Sequence, residues 1–284
     1  MAVTPPVVLT IAGFDPSSGA GITADIKTIA AHDCYGISCI TALTVQSTQG
    51  VRRVEAVDPK IVGATLEELV SDISVDAVHI GMLANESIVA VVADFLARKP
   101  LPHVVLDPIL RSSSGADLLD PAGTKLLLGR LIPLVEVVTP NLDEAGILVG
   151  TSAPTNLDQM REAARKLHSL GAANVVITGG HLEKAIDLLS FTTARGRETE
   201  IFKAERLPSN STHGTGCAFS TALACHLALG RGLPEAVLLA KVYVSAAIAN
   251  GHPLGQGVGP LNHLYRSGQQ RRTSTVVADK EPVH

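Results

Sequence analysis

Near its start the chain reads Val7-Val8-Leu9-Thr10-Ile11-Ala12 and continues Gly13-Phe14-Asp15-Pro16-Ser17-Ser18-Gly19-Ala20-Gly21. The first run is short, almost continuously apolar and rich in β-branched residues, which is typical of a strand buried on both faces of a sheet. The second run is a glycine-rich loop, and residues 22–31 after it have the pattern of a helix. Strand, loop and helix in this order predict the first unit of an α/β fold.

The same alternation recurs along most of the chain. Further strands are predicted at residues 37–45, 77–80, 104–106, 135–138 and 175–177, and helices at 60–71, 87–97, 121–130, 143–149 and 157–170. Residues 186–193 and 198–203 flank a polar turn and predict an antiparallel hairpin at a sheet edge, before small-residue helices at 217–229 and 234–250. We expect one α/β domain over residues 1–266, with a mostly parallel sheet between helices on both faces, and a polar, disordered tail over 267–284.

Composition argues against several classes of partner. The formal net charge is −4 and no basic run is present, so we do not expect nucleic acid as a ligand. The longest apolar stretch, near residues 236–249, contains Lys241 and is too short to cross a bilayer, so no membrane partner is expected. Four cysteines without paired or metal-binding spacing, and no recognisable signal segment, predict a reducing, cytoplasmic setting.

Polar residues follow two of the predicted strands. Asp107 comes directly after one strand, and Asn141 and Glu144 follow the next. Because the carboxyl ends of neighbouring parallel strands meet at one edge of a sheet, these side chains are expected to gather where α/β proteins bind ligands. They suit a magnesium ion held through water and phosphate oxygens. For Asn141 alone, a helix N-cap completed by Glu144 is the simpler interpretation.

The segment Thr212-His213-Gly214-Thr215-Gly216-Cys217-Ala218-Phe219-Ser220 leads into an apolar helix. Its backbone amides and the helix dipole predict an anion hole for charge that develops on a transferring phosphoryl group. Cys217 would lie in the first turn, where a thiol pKa is expected to fall below its usual value of about 8.5. The alternative to an anion hole is a purely structural helix start, with flexible glycines and a small buried cysteine. The histidines show no metal-ligand spacing, and packing or solvent-facing roles are expected for most of them.

Taken together, these segments resemble the ribokinase-like superfamily, and more closely the hydroxymethylpyrimidine/phosphomethylpyrimidine kinases of thiamine biosynthesis. The resemblance runs in order from residue 7 to residue 263 and includes Ala24-Asp25-Ile26-Lys27-Thr28, Thr44-Val45-Gln46-Ser47, Ile80-Gly81-Met82-Leu83, Leu106-Asp107-Pro108-Ile109, Thr139-Pro140-Asn141-Leu142 and Gly179-Gly180-His181. It implies an enzyme that uses ATP and Mg²⁺ to phosphorylate 4-amino-5-hydroxymethyl-2-methylpyrimidine to its monophosphate and then to the diphosphate. It also implies a homodimer.

The resemblance implies roles for individual residues. Gln46 would hydrogen-bond the aminopyrimidine edge and Asp25 would lie near the substrate hydroxyl, while Gly13, Met82 and Ile109 would line the ring pocket. Asp107, Asn141 and Glu144 would organise magnesium and the ATP phosphates, with Asp107 and Glu144 holding the metal through water. Lys241 and Thr178 would lie near the nucleotide. Gly214, Thr215 and Gly216 would form the anion hole with Cys217, which would also be the base.

Two positions depart from the family pattern. Phe14 stands where a small polar residue is common, and Thr178 stands where a lysine often contacts the nucleotide phosphates. A lower affinity for ATP is therefore expected, unless another cation takes the place of that lysine. Three alternatives remain open: a pyridoxal-type kinase on the same fold, a pyrimidine-binding sensor without turnover, and a dinucleotide-dependent oxidoreductase suggested by a weak GxGxxA match at residues 19–24.

Overall fold

The computed structural model describes residues 4–112, 115–180, 185–205 and 209–266. Within these residues one sheet of nine strands forms the centre of the molecule. The strands are β1 (Val7–Phe14), β2 (Tyr35–Ser47), β3 (Gly50–Ala56), β4 (Ala77–Ile80), β5 (Val104–Leu106), β6 (Val137–Val138), β7 (Asn174–Ile177), β8 (Ala185–Thr193) and β9 (Gly196–Ala204). Their order across the sheet is β3-β2-β1-β4-β5-β6-β7-β8-β9.

The direction of the strands confirms a mostly parallel sheet with an antiparallel edge hairpin. The strands from β2 through β7 in this order run parallel to one another, while β8 is antiparallel to both β7 and β9. The strand at the other edge of the sheet was not predicted: β3 lies there and pairs antiparallel with β2. Chain order reverses around β1, whose two neighbours are β2 and β4, and a crevice therefore opens beyond the carboxyl ends of these strands.

Helices connect the strands in the described part of the chain. They are α1 (Gly21–Ala31), α2 (Pro59–Asp72), α3 (Glu86–Arg98), α4 (Pro121–Leu126), α5 (Leu142–Leu148), α6 (Leu157–Ser169), α7 (Thr215–Ala228) and α8 (Leu233–Ala249). The predicted helix at 121–130 is shorter than expected. It passes into a π turn at Leu127–Leu131 and a 3₁₀ turn at Ile132–Leu134, because Pro133 has no amide hydrogen to continue an α-helix.

Successive strand residues point to opposite faces of the sheet, and each face has its own apolar core. Leu9 and Val78 pack with α2, α3, α5 and α6, whereas their neighbours Val8 and Ala77 pack with α1, α7 and α8. This confirms helices on both faces. Helix α7 lies deepest, because nearly all of its side chains are buried. In the described residues no helix has the length and apolarity that a membrane span requires.

The prediction of a disordered tail at 267–284 lies outside the described residues, and the assignment of residues 1–266 to one domain stays a prediction.

Candidate active site

A cavity of about 220 Å³ lies beyond the carboxyl ends of the central strands. Its walls come from the loop after β1, from the end of β2, from the segments after β4, β5 and β6, and from the start of α7. The lining residues that the sequence predicted are Gly13, Gln46, Met82, Asp107, Ile109, Asn141, Glu144, Gly216 and Cys217. The topology therefore brings together most of the predicted site at the point where open α/β sheets bind ligands.

One wall of the cavity is suited to a flat ring. Met82 and Ile109 present apolar side chains, and Gly13 leaves space because a Cβ there would lie 3.0 Å from the Met82 sulfur. Gln46 supplies an amide at the end of β2, with Oε1 3.2 Å from Thr44 Oγ1. An amide that faces an apolar wall can bind a heterocycle through one donor and one acceptor.

Asp25, which was expected near the substrate hydroxyl, does not line this cavity. It is fully buried where α1 packs on the sheet, and it accepts hydrogen bonds from Thr10 Oγ1 at 2.7 Å and from Thr221 Oγ1 at 2.9 Å. His79 Nδ1 lies 3.3 Å from its carboxylate. Burial alone would lower the pKa of His79, but the Asp25 carboxylate outweighs it and raises that pKa. Asp25 and His79 therefore form a buried ion pair behind the site.

Asp107 and Glu144 are two buried carboxyl groups that face the same cavity. Burial raises the pKa of Asp107 to about 6. Burial, together with the nearby Asp107 charge, raises the pKa of Glu144 well above its usual value. A divalent cation would relieve both effects, so the donors fit magnesium. In the described residues no group of three or more potential metal ligands is present. With two carboxyl groups facing the cavity, the ion would take its other ligands from water and phosphate.

Asn141 and Glu144 also confirm the capping-box interpretation. The Asn141 side chain accepts from the Glu144 amide at 2.9 Å, and Glu144 Oε2 accepts from the Asn141 amide at 2.9 Å. One carboxylate oxygen is therefore used to start α5. The same cap holds the Glu144 side chain at the cavity.

The start of α7 provides the expected anion-binding amides, with one change. Gly214 is the N-cap in the left-handed region at φ 83°, and the Thr215 amide already donates to the Thr212 carbonyl at 3.3 Å. In the described part of the chain, the amides of Gly216 and Cys217 have no acceptor. Gly216 and Cys217 line the cavity, whereas Gly214 and Thr215 do not, so these two amides, with the helix dipole behind them, are the candidates for the anion hole.

Cys217 lies in the first turn of α7 as expected, but its thiol is not acidified. Burial, and after it the charges of Asp107 and Asp25, raise its pKa well above the usual value. The helix dipole is outweighed because the thiol is buried and faces carboxylates. The thiol of Cys217 is therefore protonated, and it lines the same cavity as Asp107.

Lys241 and Thr178, which were also expected near the nucleotide, do not line the cavity: Thr178 follows β7 and Lys241 lies on α8. Lys241 is buried and pairs with Asp187 at 2.5 Å, and Asp187 also accepts from the Gly179 amide at 3.0 Å. Thr178 forms a bridge with Asn141. Lys241 thus braces the turn after β7, and its role toward ATP stays a prediction. His181 lies outside the described residues.

His213 and Asp15 are site residues that the sequence interpretation missed. Both line the cavity, and His213 Nε2 lies 2.9 Å from Asp15 Oδ2 and 3.2 Å from Gln46 Nε2. The signal was present, because each residue stands within a motif that was already singled out. The pairing itself could not be inferred, since the two residues are 198 positions apart.

Comparison with known proteins identifies the family. A family model described as phosphomethylpyrimidine kinase matches residues 15–262. The chain belongs to this family. Phosphomethylpyrimidine kinases transfer a phosphoryl group, so the protein is a kinase and uses ATP. Its ribokinase-like fold and its place in thiamine biosynthesis agree with the resemblance seen in the sequence.

Individual relatives are similar over most of the chain. The thiamine biosynthesis bifunctional protein ThiED of Geobacter sulfurreducens is 44% identical over 90% of this chain, which spans 52% of that protein. The hydroxymethylpyrimidine/phosphomethylpyrimidine kinase of Streptomyces coelicolor is 42% identical over 94% of this chain and 97% of its own length. The pyridoxal kinase of Bacillus subtilis, solved with ADP, is 38% identical with a TM-score of 0.83, covering 92% of this chain and 98% of that chain.

Proposed function

We propose that this kinase phosphorylates 4-amino-5-hydroxymethyl-2-methylpyrimidine with ATP, and then phosphorylates the monophosphate to the diphosphate. One observation carries the proposal: the Gln46 amide and the free amides of α7 lie on the walls of one 220 Å³ cavity. A ring bound at Gln46 would direct a short hydroxymethyl arm toward α7. In the second step the monophosphate binds in the same place, and its phosphate group accepts the second phosphoryl group.

The residues around the path of the phosphoryl group have different roles in its transfer. The amides of Gly216 and Cys217 stabilise negative charge on the moving phosphoryl group. Asp107 and Glu144, with Asn141 beside them, would hold magnesium through water, and the ion would neutralise charge on the ATP phosphates. Because this kind of transfer is largely dissociative, positioning and charge stabilisation contribute more than a strong base. The protonated thiol of Cys217 therefore serves to orient the acceptor hydroxyl beside Asp107.

A pyridoxal-type kinase is the second candidate. The Bacillus subtilis structure supports it, because a similar fold acts there on another ring that carries a hydroxymethyl group. The two candidates differ in what Gln46 must recognise. An aminopyrimidine offers an amine beside a ring nitrogen, whereas pyridoxal has no exocyclic amine.

Identification of the products tests both candidates. Purified protein, ATP and Mg²⁺ are incubated separately with hydroxymethylpyrimidine and with pyridoxal, and the products are resolved by mass. We expect a pyrimidine monophosphate that is followed by a diphosphate. Phosphorylation of pyridoxal alone would replace the proposal by the second candidate, and no product from either ring would leave a sensor as the better description.

We also propose a homodimer in the cytoplasm. Leu43 and Val45 of β2 are more than half exposed, and an apolar surface of this kind is suited to a second copy. All four cysteines are free, in keeping with a reducing compartment. Light scattering of the wild type and of Val45→Lys tests the dimer, which the lysine should weaken.

A further inference from the structure

A row of four polar side chains borders the cavity wall that is suited to a flat ring. The row runs from Asp15 through His213 and Gln46 to Thr44. The Asp15 carboxylate accepts from the amide and hydroxyl of Ser17 at 2.8 and 2.7 Å, from the amides of Gly19 and Ala20, and from His213 Nε2 at 2.9 Å. Burial alone would raise the pKa of Asp15, but the hydrogen bonds from His213 and Ser17 hold it below its usual value. Asp15 is therefore a carboxylate, and an ionised carboxylate only accepts hydrogen bonds. It follows that His213 carries a hydrogen on Nε2.

That hydrogen determines how Gln46 can bond. Gln46 lies between His213 and Thr44, with Nε2 3.2 Å from His213 Nε2 and Oε1 3.2 Å from Thr44 Oγ1. Two nitrogens that both carry hydrogen cannot bond to each other. Thr44 has a single hydroxyl hydrogen, which the Phe14 carbonyl can accept at 2.9 Å. Donors and acceptors in the row match only when the amide turns over: the single Nε2 hydrogen of His213 is then shared between Asp15 Oδ2 and Gln46 Oε1, and Gln46 Nε2 donates to Thr44 Oγ1.

We propose that His213, held by Asp15, fixes the Gln46 amide in this turned orientation and so sets the order of acceptor and donor that a ring meets. The inference rests on the proposed function and adds a specificity determinant to it. Oε1 keeps a second lone pair, on the His213 side, and Nε2 keeps a second hydrogen, on the Thr44 side. An aminopyrimidine satisfies both when its exocyclic amine points toward His213 and the adjacent ring nitrogen points toward Thr44. His213 is thus a positioning residue for ring selectivity.

The surroundings of His213 hold its ring in one place. A Cβ at Gly19 would lie 2.1 Å from His213 Cδ2, so glycine is needed for the ring to pack there. The His213 amide donates to the Gly259 carbonyl at 3.1 Å. The side chain is only 12% exposed. An imidazole held in this way cannot turn to follow a different amide orientation.

The test compares hydroxymethylpyrimidine with the same ring lacking its exocyclic amine. In the wild type we expect kcat/KM to favour the amino ring by at least about a hundredfold, because the analogue leaves a buried polar group unpaired. His213→Phe keeps a flat ring but has no donor. We expect it to reduce that preference about tenfold or more, mainly through KM for the pyrimidine, with KM for ATP unchanged. His213→Gln, which keeps an N–H donor, should restore part of the preference.

Further variants make the result decisive. His252→Phe changes an exposed histidine in the same way and should leave the preference unaltered. Asp15→Asn should reproduce the loss in His213→Phe, which keeps the test available if the phenylalanine variant folds poorly. Because His213 acts through Gln46, the variant Gln46→Ala with His213→Phe should lose no more selectivity than Gln46→Ala alone.

The outcomes separate this inference from the proposed function. A wild type that phosphorylates neither ring overturns both. A wild type that prefers the amino ring, with the same preference in His213→Phe and Asp15→Asn, overturns the role of His213 and leaves the kinase assignment intact. Independent, multiplicative losses in the double variant would also overturn it, because His213 would then contact the ring without Gln46.

Discussion

Cys217 shows how a single residue can keep its predicted position and change its predicted chemistry. The helix start alone would acidify the thiol, but its burial beside Asp107 raises its pKa. A thiol in this state donates a hydrogen bond and does not remove a proton from the acceptor. Its contribution then comes from the geometry of the acceptor hydroxyl.

Replacement of Cys217 should affect turnover more than binding. We expect Cys217→Ala to reduce kcat about 10²-fold and to change KM for the pyrimidine by only a few-fold, because the lost contact orients the reacting hydroxyl. Cys217→Ser, which keeps a hydrogen-bond donor at this position, should keep more activity than alanine. Cys225→Ala removes another buried thiol from α7 and should leave kcat within about twofold. Near-normal turnover in Cys217→Ala would show that the thiol takes no part.

We expect the ion pair between Asp25 and His79 to contribute to the core rather than to contact the substrate, because it is buried away from the cavity. Both side chains are 0% exposed. Breaking such a pair leaves an uncompensated buried charge, so Asp25→Asn should reduce the free energy of unfolding by about 3–5 kcal/mol in urea titrations. KM for the pyrimidine should stay close to that of the wild type in the folded enzyme.

The exposed pair between Arg130 and Asp94 is the matched control, because its side chains are 46% and 51% exposed. Asp94→Asn should cost no more than about 1 kcal/mol. A selective rise in KM for Asp25→Asn, without loss of stability, would instead return Asp25 to the substrate site.

At the scale of elements, the first loop and the start of α7 interlock. Gly214 has a φ of 83°, and a Cβ there would lie 1.9 Å from the Gly19 carbonyl oxygen. The loop after β1 and the anion hole therefore touch through backbone at a position where any side chain would force them apart.

Gly214→Ala should therefore separate the ring wall from the anion hole. We expect a loss of kcat of at least about 10²-fold together with a lower Tm, because the clash displaces the first turn of α7. Gly230→Ala controls for the cost of the left-handed backbone alone. Its φ is 78° with open space around it, so it should cost about 1 kcal/mol and leave kcat unchanged. Equal effects of the two variants on kcat would contradict the interlock.

At the scale of the whole molecule, stability should depend on buried histidines near the end of α7. In the described residues the buried side-chain atoms without a partner are Nε2 of His32, His226 and His263. Burial lowers the pKa of His226 and of His263 to about 4, and His226 also faces His32, Arg266 and Arg231. The unfolded chain therefore binds more protons than the folded protein between about pH 6.5 and pH 4.

Acid should consequently destabilise the fold through these histidines. Their contribution is present above pH 6.5 and is lost as the pH falls toward 4, by at most about 3 kcal/mol for each histidine. Urea unfolding of the wild type and of His226→Phe at several pH values isolates the effect. The phenylalanine variant should lose less stability on acidification. Asp107 and Glu144, whose raised pKa values act in the opposite direction, are common to both proteins, and identical pH dependence would contradict the assignment.

The sequence was sufficient where local pattern determines structure. Continuous apolar runs such as residues 104–106 predicted buried parallel strands, and the polar residues after them predicted the carboxyl-end site. Strand β3 was missed because Gly-Val-Arg-Arg-Val-Glu-Ala is charged and mostly exposed, so it lacks the signal of a buried strand. The pKa of Cys217, the burial of Asp25 and the pairing of His213 with Asp15 all depend on contacts between distant segments, which no local pattern encodes.

Helix α7 begins at the candidate anion hole and runs through the middle of one core. The residues of α7 are therefore constrained both by catalysis and by packing, and few substitutions in this helix can be neutral. Gln46 lies on β2, close to the edge of the sheet, and its replacement would disturb little packing. As proteins of this architecture diverge, the choice of acceptor ring can drift at Gln46 and its neighbours while the machinery for phosphoryl transfer is inherited almost unchanged.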